Sequence, residues 1–352
     1  MSATCFRRHI ACLLSVISLV VLWPAEANAW GRDGHRIVAR IATRHLSQKT
    51  KDAISALLQS DQEDPSNCKS KTSLEEKLAC VSTFADEVRS KYPKTAALHF
   101  VNIPVYLPAA QRNYQPVRDC AKGCVVSGIA LYRKKLLTSH NDAERAEALK
   151  FIIHFIGDLH QPLHTVKDKD LDFNNIENKT AGHQQLHSDG TGDRGANFKL
   201  VTWFGEGSSD FGCRNLHSVW DGAIISRRGL GEGDFTNHLD KLSAADMAAF
   251  QKGDVVSWVN QGVKLAVSNA YGLLPERDVN DKVCEVDRME DDKKKTDCVT
   301  YDPERCRNSK VHYRYALGES YYETNLPVVE SQLQKAGLRL ARFLNNVFDP
   351  AL

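Results

Sequence analysis

The 352 residues carry 46 Lys and Arg against 44 Asp and Glu, a formal net charge of +2. A surface so near neutrality excludes a broad basic groove gripping long duplex nucleic acid by counterion release, so any anionic substrate must be held locally. The length suffices for one large domain, or two closely joined ones, with a sizeable core.

Residues 1–29 read as a secretory signal. Arg7 and Arg8 precede an apolar run from Ile10 to Leu22, and Ala27, Asn28 and Ala29 supply a small-residue cleavage site. The run is too short to span a bilayer comfortably, and nothing later approaches such a span. The mature protein, residues 30–352, is therefore expected to be soluble, secreted or periplasmic, and without stable membrane association. Cleavage also removes Cys5 and Cys12. That leaves Cys68, Cys80, Cys120, Cys124, Cys213, Cys284, Cys298 and Cys306, an even set that implies disulfides in an exported chain. Cys120 and Cys124 form the first expected bridge, and the lack of a CxxC pair argues against a thiolate metal site.

From Trp30, the segment WGRDGHRIVARIATRHL predicts an amphipathic helix opened by His35, with Ile37, Val38, Ile41 and Leu46 near helical spacing. Cleavage before Trp30 creates a free amine with a pKa of about 7.7–8.0, which can serve as a metal ligand at mild pH. Helices follow over 51–59 and 72–90, the second opened by Ser73 and Glu76 in capping-box spacing. It ends with Asp86 and Arg89 three apart, a spacing that suits a surface salt bridge as well as a site. Residues 98–108, LHFVNIPVYLP, favour extended or irregular backbone around His99, Phe100 and Asn102.

Helices are predicted over 124–137 and 143–159, the latter running into HFIGDLHQPLH. His154 and Asp158 stand at i and i+4, so both can reach one ion, and imidazole with carboxylate suits zinc or a similar borderline metal. Pro162 ends or kinks the helix, which lets His164 address a neighbouring ion. His160 precedes the break and reads as a support for a ligand or as substrate-facing, with ligation the lesser option. LHSVWD repeats the spacing with His217 and Asp221. One such pair also fits satisfied core histidines; two in one chain weigh against that.

Residues 167–215 read as a long irregular loop with one short hairpin around FKLVTWF, and loops of this length are usually functional. Asn178-Lys179-Thr180 is the one glycosylation sequon. Helices are expected at 235–250 and 254–272, a charged disulfide-pinned insert at 275–310, and a last helix at 312–347 packed through Leu326, Val329, Leu333, Leu338, Leu340 and Phe343.

WGxxGH at Trp30, ADEVR, LHF, HFIGDLHQPLH and LHSVWD, in this order, resemble the zinc-dependent type I nucleases, secreted nuclease/3′-nucleotidases related to bacterial zinc phospholipase C. The resemblance covers nearly the whole mature chain. It implies an all-α fold: a single mainly helical domain around a trinuclear zinc cleft, with long irregular loops and disulfides. Carried over residue by residue, it assigns one zinc ion to Asp86, His99, His154 and Asp158. A second falls to the Trp30 amine and carbonyl, His35 and the shared Asp158, and a third to His164, His217 and Asp221. Arg89, with Asp86 and Asp158, is then the catalytic group. Phe100 matches the family aromatic on which a base stacks, and Asn197 in GANF resembles the GGN segment near the substrate phosphate. Ala196 departs from that segment's second glycine, and Asn102 stands where some relatives carry aspartate in the base pocket.

The resemblance implies a monomeric enzyme that cleaves RNA, single-stranded DNA and nucleoside 3′-monophosphates, leaving 5′-phosphates on products from strands. Two other readings compete. A zinc phospholipase C is disfavoured because relatives with lipase activity usually carry Glu at the position of Asp158. A non-catalytic zinc-binding exported protein would need closed coordination, whereas catalytic sites keep open positions.

Overall fold

Asn141 starts the helix that the rest of the chain packs around. Its side-chain oxygen accepts from the N–H groups of Ala143 and Glu144, and Asp142 and Glu144 add negative charge to the first turn. In the computed structural model this helix, α7 (Asp142–Asp158), is buried on every face from Ala148 to Asp158. Phe151, Ile152, Ile153, Phe155 and Ile156 carry that burial, each contributing roughly 1.5–3 kcal/mol. The structure describes residues 30–169, 192–209, 212–290, 293–307, 309 and 311–351, the side chains of 293 and 294 excepted. The signal segment and the sequon at Asn178 lie outside the described residues.

Before α7 come α1 (Arg32–Arg44), α2 (Gln48–Ser60), α3 (Leu74–Val81), α4 (Phe84–Glu87), α5 (Pro116–Asp119) and α6 (Val125–Thr138). After it come α8 (Leu216–Ser218), α9 (Ile224–Arg227), α10 (Glu232–Leu239), α11 (Ala244–Phe250), α12 (Val255–Leu265) and the long α13 (Glu319–Phe348). The fold is thus mainly helical, in agreement with the expected class. α6, α2 and α4 pack on α7, while α13 and α3 pack on α1. Arg36, Arg40 and Arg44 line one side of α1 and pair with Glu75, Glu76, Glu232 and Asp240, which ties α1 to α3 and α10. Glu76 bonds Arg40 at 2.7 Å, while the Ser73 side chain accepts from the Glu76 N–H.

Strands are few and short outside one hairpin. β1 (Ile103–Pro104) pairs in parallel with β2 (Val166–Lys167), joining the chain just after LHF to the chain just after HQPLH, and the Val101 N–H donates to His164 O at 2.8 Å. β3 (Val201–Trp203) ends in a tight local turn, where Trp203 and Glu206 exchange backbone hydrogen bonds as an antiparallel bridge, but its ladder partner lies elsewhere. It pairs in parallel with β9 (Tyr315–Leu317), over a hundred residues on, a partner that local pattern does not reveal. β4 (Ser208–Ser209) and β5 (Gly212–Cys213) are antiparallel.

The region expected as a charged disulfide-pinned insert contains β6 (Lys282–Glu290) paired with β7 (Lys293–Thr300) and, on its other edge, β8 (Val311–Tyr313). Only Val283 and Cys284 of β6 are buried, so its outer half shows no apolar alternation to read. Cross-strand pairs such as Arg288 with Asp297 hold that half instead. Disulfides join Cys68 to Cys80, Cys120 to Cys124, Cys213 to Cys298 and Cys284 to Cys306. β8 and β9 occupy the start of the predicted last helix, which begins only at Glu319.

Candidate metal centre

Because α7 presents residues i and i+4 on one face, His154 Nε2 lies 3.3 Å from Asp158 Oδ1. Two other elements bring imidazoles to the same carboxylate. His35, from the first turns of α1, places Nε2 3.1 Å from Asp158 Oδ1 and stacks its ring on His154 at 3.9 Å. His99, at the end of a 3₁₀ turn Pro93–His99, places Nδ1 3.0 Å from Asp158 Oδ2. Asp86, on α4, adds Oδ1 at 3.5 Å from His154 Nε2 and 3.6 Å from His99 Nδ1. Gly157 makes room for this, since a Cβ there would fall 2.7 Å from His35 Nδ1.

The second assembly is built on the break after α7. Pro162 opens a 3₁₀ turn, Pro162–Thr165, that carries His164. His217 comes from α8, and Asp221 from the π-helical segment Val219–Ala223 that continues it. His164 Nε2 stands 3.0 Å from His217 Nε2, and the latter 3.5 Å from Asp221 Oδ2. Donor atoms thus converge in three groups: His35, Asp86 and His154; His99, His154 and Asp158; His164, His217 and Asp221.

Two observations test whether these groups suit a cation. First, His35 Nδ1 and Nε2, Asp86 Oδ1, His99 Nε2 and both oxygens of Asp158 are buried without hydrogen bonds. Leaving such groups bare is expensive unless something charged satisfies them. Second, the far nitrogens of three histidines are taken by backbone carbonyls. His154 Nδ1 donates to Ser82 O at 2.7 Å, His164 Nδ1 to His99 O at 2.8 Å and His217 Nδ1 to Gly195 O at 2.6 Å. In His164 and His217 the bond fixes the tautomer that bares Nε2, the arrangement seen behind ligating histidines, and in His154 it holds the ring with Nε2 toward the carboxylates. Two bare lone pairs at 3.0 Å repel one another, and a cation between them removes the repulsion. The donor set fits a borderline metal such as zinc.

The charge balance agrees. Burial holds His164 down to about 4 and His217 down to about 3, with Arg89 among the further causes for His217. Both rings are therefore neutral, as ligation requires. Burial pushes the Asp221 carboxyl well up, and nearby Asp86 and Asp158 push it further against its bond from Gln161. Burial also disfavours charge on His154, but Asp158 and Asp86 outweigh it and raise this ring to about 9. The pair of carboxylates thus demands positive charge.

Of the remaining anticipated residues, Trp30 is fully buried, and its neighbour Gly31 donates its N–H to the Asp221 carbonyl at 2.7 Å. Arg89 follows α4, its N–H bonded to Asp86 O, and its charge acts on His217. Phe100 and Asn102 are half-buried beside His99, in the segment that β1 docks against β2. Asn197 donates Nδ2 to Arg194 O, closing the turn that carries Gly195. His160 is not part of the site. Its Nδ1 bonds Ile156 O, and its Nε2 lies 3.0 Å from Arg339 Nη1 of α13, so it braces α7 against that helix.

Gln161 escapes the sequence reading. Fully buried, it donates Nε2 to Asp221 Oδ1 at 2.7 Å and accepts the Leu163 N–H at 2.6 Å, linking HQPLH to LHSVWD. Its place between His160 and Pro162 was the available signal.

A family model described as S1/P1 Nuclease matches residues 30–349. Endonuclease 3 of Arabidopsis thaliana is 28% identical, over 95% of this chain and 94% of that protein. Nuclease S1 of Aspergillus oryzae is 28% identical, over 95% and 96%. Nuclease P1 of Penicillium citrinum is 27% identical, over 90% and 97%.

Proposed function

Given that the chain belongs to the S1/P1 nuclease family and is a hydrolase acting on phosphodiester bonds of nucleic acids, we propose that it works as a trinuclear zinc enzyme. Its substrates are RNA, single-stranded DNA and nucleoside 3′-monophosphates, and strands are left with 5′-phosphates. The observation that carries this reading is the set of buried, hydrogen-bond-free donors around Asp158 beside a triad whose imidazoles are fixed with Nε2 bare.

One ion is assigned to Asp86, His99, His154 and Asp158, a second to Trp30 with His35 and Asp158, and a third to His164, His217 and Asp221. When bound, zinc supplies positive charge at phosphoryl oxygens and brings the pKa of water to about 7. Asp158 balances that charge from the centre of the cluster. Ser82, His99 and Gly195 keep the imidazoles aimed through their carbonyls. Arg89 stabilises negative charge developing on the phosphoryl oxygens. Phe100 offers a face for one base, which favours unpaired strands because duplex bases would first have to leave their stack. Asn102 donates and accepts at the base edge, and Asn197 shapes the turn beside the phosphate.

Four disulfides fit an oxidising compartment, and no helix among the described residues is long and apolar enough to cross a membrane. We assign the protein to export as a monomer after cleavage at Ala29. The test is metal analysis and N-terminal sequencing of the purified protein, with turnover measured on single-stranded DNA, RNA, a 3′-nucleotide and phosphatidylcholine. Arg89→Gln should keep the full metal content and lose about 10²–10³-fold in turnover. Lipid turnover without nucleic-acid turnover would reverse the assignment. Full activity without metal would end it.

A further inference from the structure

Behind the His164, His217 and Asp221 triad lies a polar knot that uses none of its residues. Asp193 is buried, and its N–H donates to Asp168 O at 3.0 Å. Its Oδ1 accepts the Asp168 N–H at 2.8 Å, and its Oδ2 accepts the Tyr271 hydroxyl at 2.8 Å. The buried Lys199 ammonium stands 3.5 Å from Asp168 Oδ2 and 3.9 Å from Asp193 Oδ2. The Lys199 carbonyl accepts the Leu216 N–H, one residue before His217.

The backbone that runs through this knot is unusual. Gly192, Arg194, Gly195 and Ala196 have φ of 64°, 52°, 62° and 67°, all left-handed, and two of them carry side chains. Such a run persists only where the surroundings over-determine it. What it delivers is one acceptor, Gly195 O, at 2.6 Å from His217 Nδ1. The turn also packs against Leu163, where a Cβ on Gly195 would fall 2.2 Å from the carbonyl oxygen.

We propose that Asp193 is a positioning residue for His217. Held by Tyr271, Lys199 and the Asp168 backbone, it fixes the left-handed run so that the Gly195 carbonyl keeps the proton on Nδ1 and turns Nε2 toward His164 and Asp221. The proposal rests on reading the triad as a metal site, although the tautomer it concerns is measurable without metal.

The experiment uses the full mature protein with its metals, and again after chelation, labelled with ¹⁵N-histidine; the His217 ring signals are assigned by their absence in His217→Gln. Asp193→Asn and Tyr271→Phe are compared with wild type, and Asp193→Ala is added if it folds. The expected result is a loss of the fixed Nδ1–H tautomer of His217 in Asp193→Asn and a smaller loss in Tyr271→Phe. Chelator competition should show one ion held about 10–100-fold more weakly while the others are unchanged. A His217 spectrum identical to wild type in Asp193→Asn overturns the proposal even if metals bind as assigned. A tautomer that depends on Asp193 in a protein that binds no zinc at the triad supports it and defeats the metal reading instead.

Discussion

Around Asp158, three imidazoles and two carboxylates meet and leave six buried donor atoms without hydrogen bonds. In the triad of His164, His217 and Asp221, by contrast, the far nitrogens are bound to carbonyls and the carboxylate is held by Gln161. The first assembly is organised by surplus negative charge, since Asp86 and Asp158 raise His154 to about 9. The second is organised by geometry, with its rings held neutral by burial and aimed from behind. A site can be prepared for a cation by either means, and the two should fail differently.

The largest failure should follow Asp158→Ala, which removes the carboxylate common to all three imidazoles. Turnover should fall by about 10³-fold or more, and, on the proposed three-ion assignment, metal analysis should show both cluster ions weakened while the triad ion stays. Retention of all ions would contradict the role given to Asp158.

Metal removal comes next. If each site is filled at a thousand times its dissociation constant, it adds about 4 kcal/mol of stability. At about 2 °C per kcal/mol for a large chain, emptying even one site should lower Tm by roughly 8 °C. The chelated protein should then separate the two assemblies by pH. His154 is raised above the ordinary 6.5, so its contribution is whole below that pH and is lost as pH rises through about 9. His164 and His217 are lowered, so the unfolded chain takes up protons that the fold refuses. Their contribution is present above pH 6.5 and is lost as pH falls toward about 4 and about 3. Residue-resolved histidine titration after chelation checks both signs; parallel titration of the three rings would refute the contrast.

Gln161→Leu should act on the triad alone. With the Asp221 carboxylate released, the triad ion should bind about 10–100-fold more weakly, while the Asp158 cluster keeps its ions in the same chelator titration.

Much of this arrangement was legible in the chain, for a physical reason that also marks the limit. His154 with Asp158 and His217 with Asp221 are read from helical periodicity, and Pro162 announces the break that frees His164. The carbonyls of Ser82, His99 and Gly195 have no residue type, so no pattern betrays them. His160 has the same local credentials as its neighbours, and only Arg339, 179 positions away, decides that it braces two helices. Lys282–Glu290 hides its strand because cross-strand charge replaces apolar alternation over its outer half. β3 finds its partner in β9, which a hairpin reading of FKLVTWF does not anticipate.

The smallest effect sharpens the triad's supporting turn. Ala196 holds φ 67° while fully buried, a conformation that glycine adopts at less cost. Ala196→Gly should stabilise the protein by about 0.5–1 kcal/mol, seen as a Tm about 1–2 °C higher with metal content unchanged. A drop in Tm would show that the Ala196 methyl packs better than its backbone suffers.

The bridge from Cys213 to Cys298 spans 85 positions and encloses both α8 and the exposed stretch after α12. A protease that nicks the chain near residues 276–280 therefore yields two fragments that remain one covalent body, with α13 still seated on α1. Such a nicked form would run as a single species until reductant is added, so an intact band on a non-reducing gel is no proof of an uncut backbone.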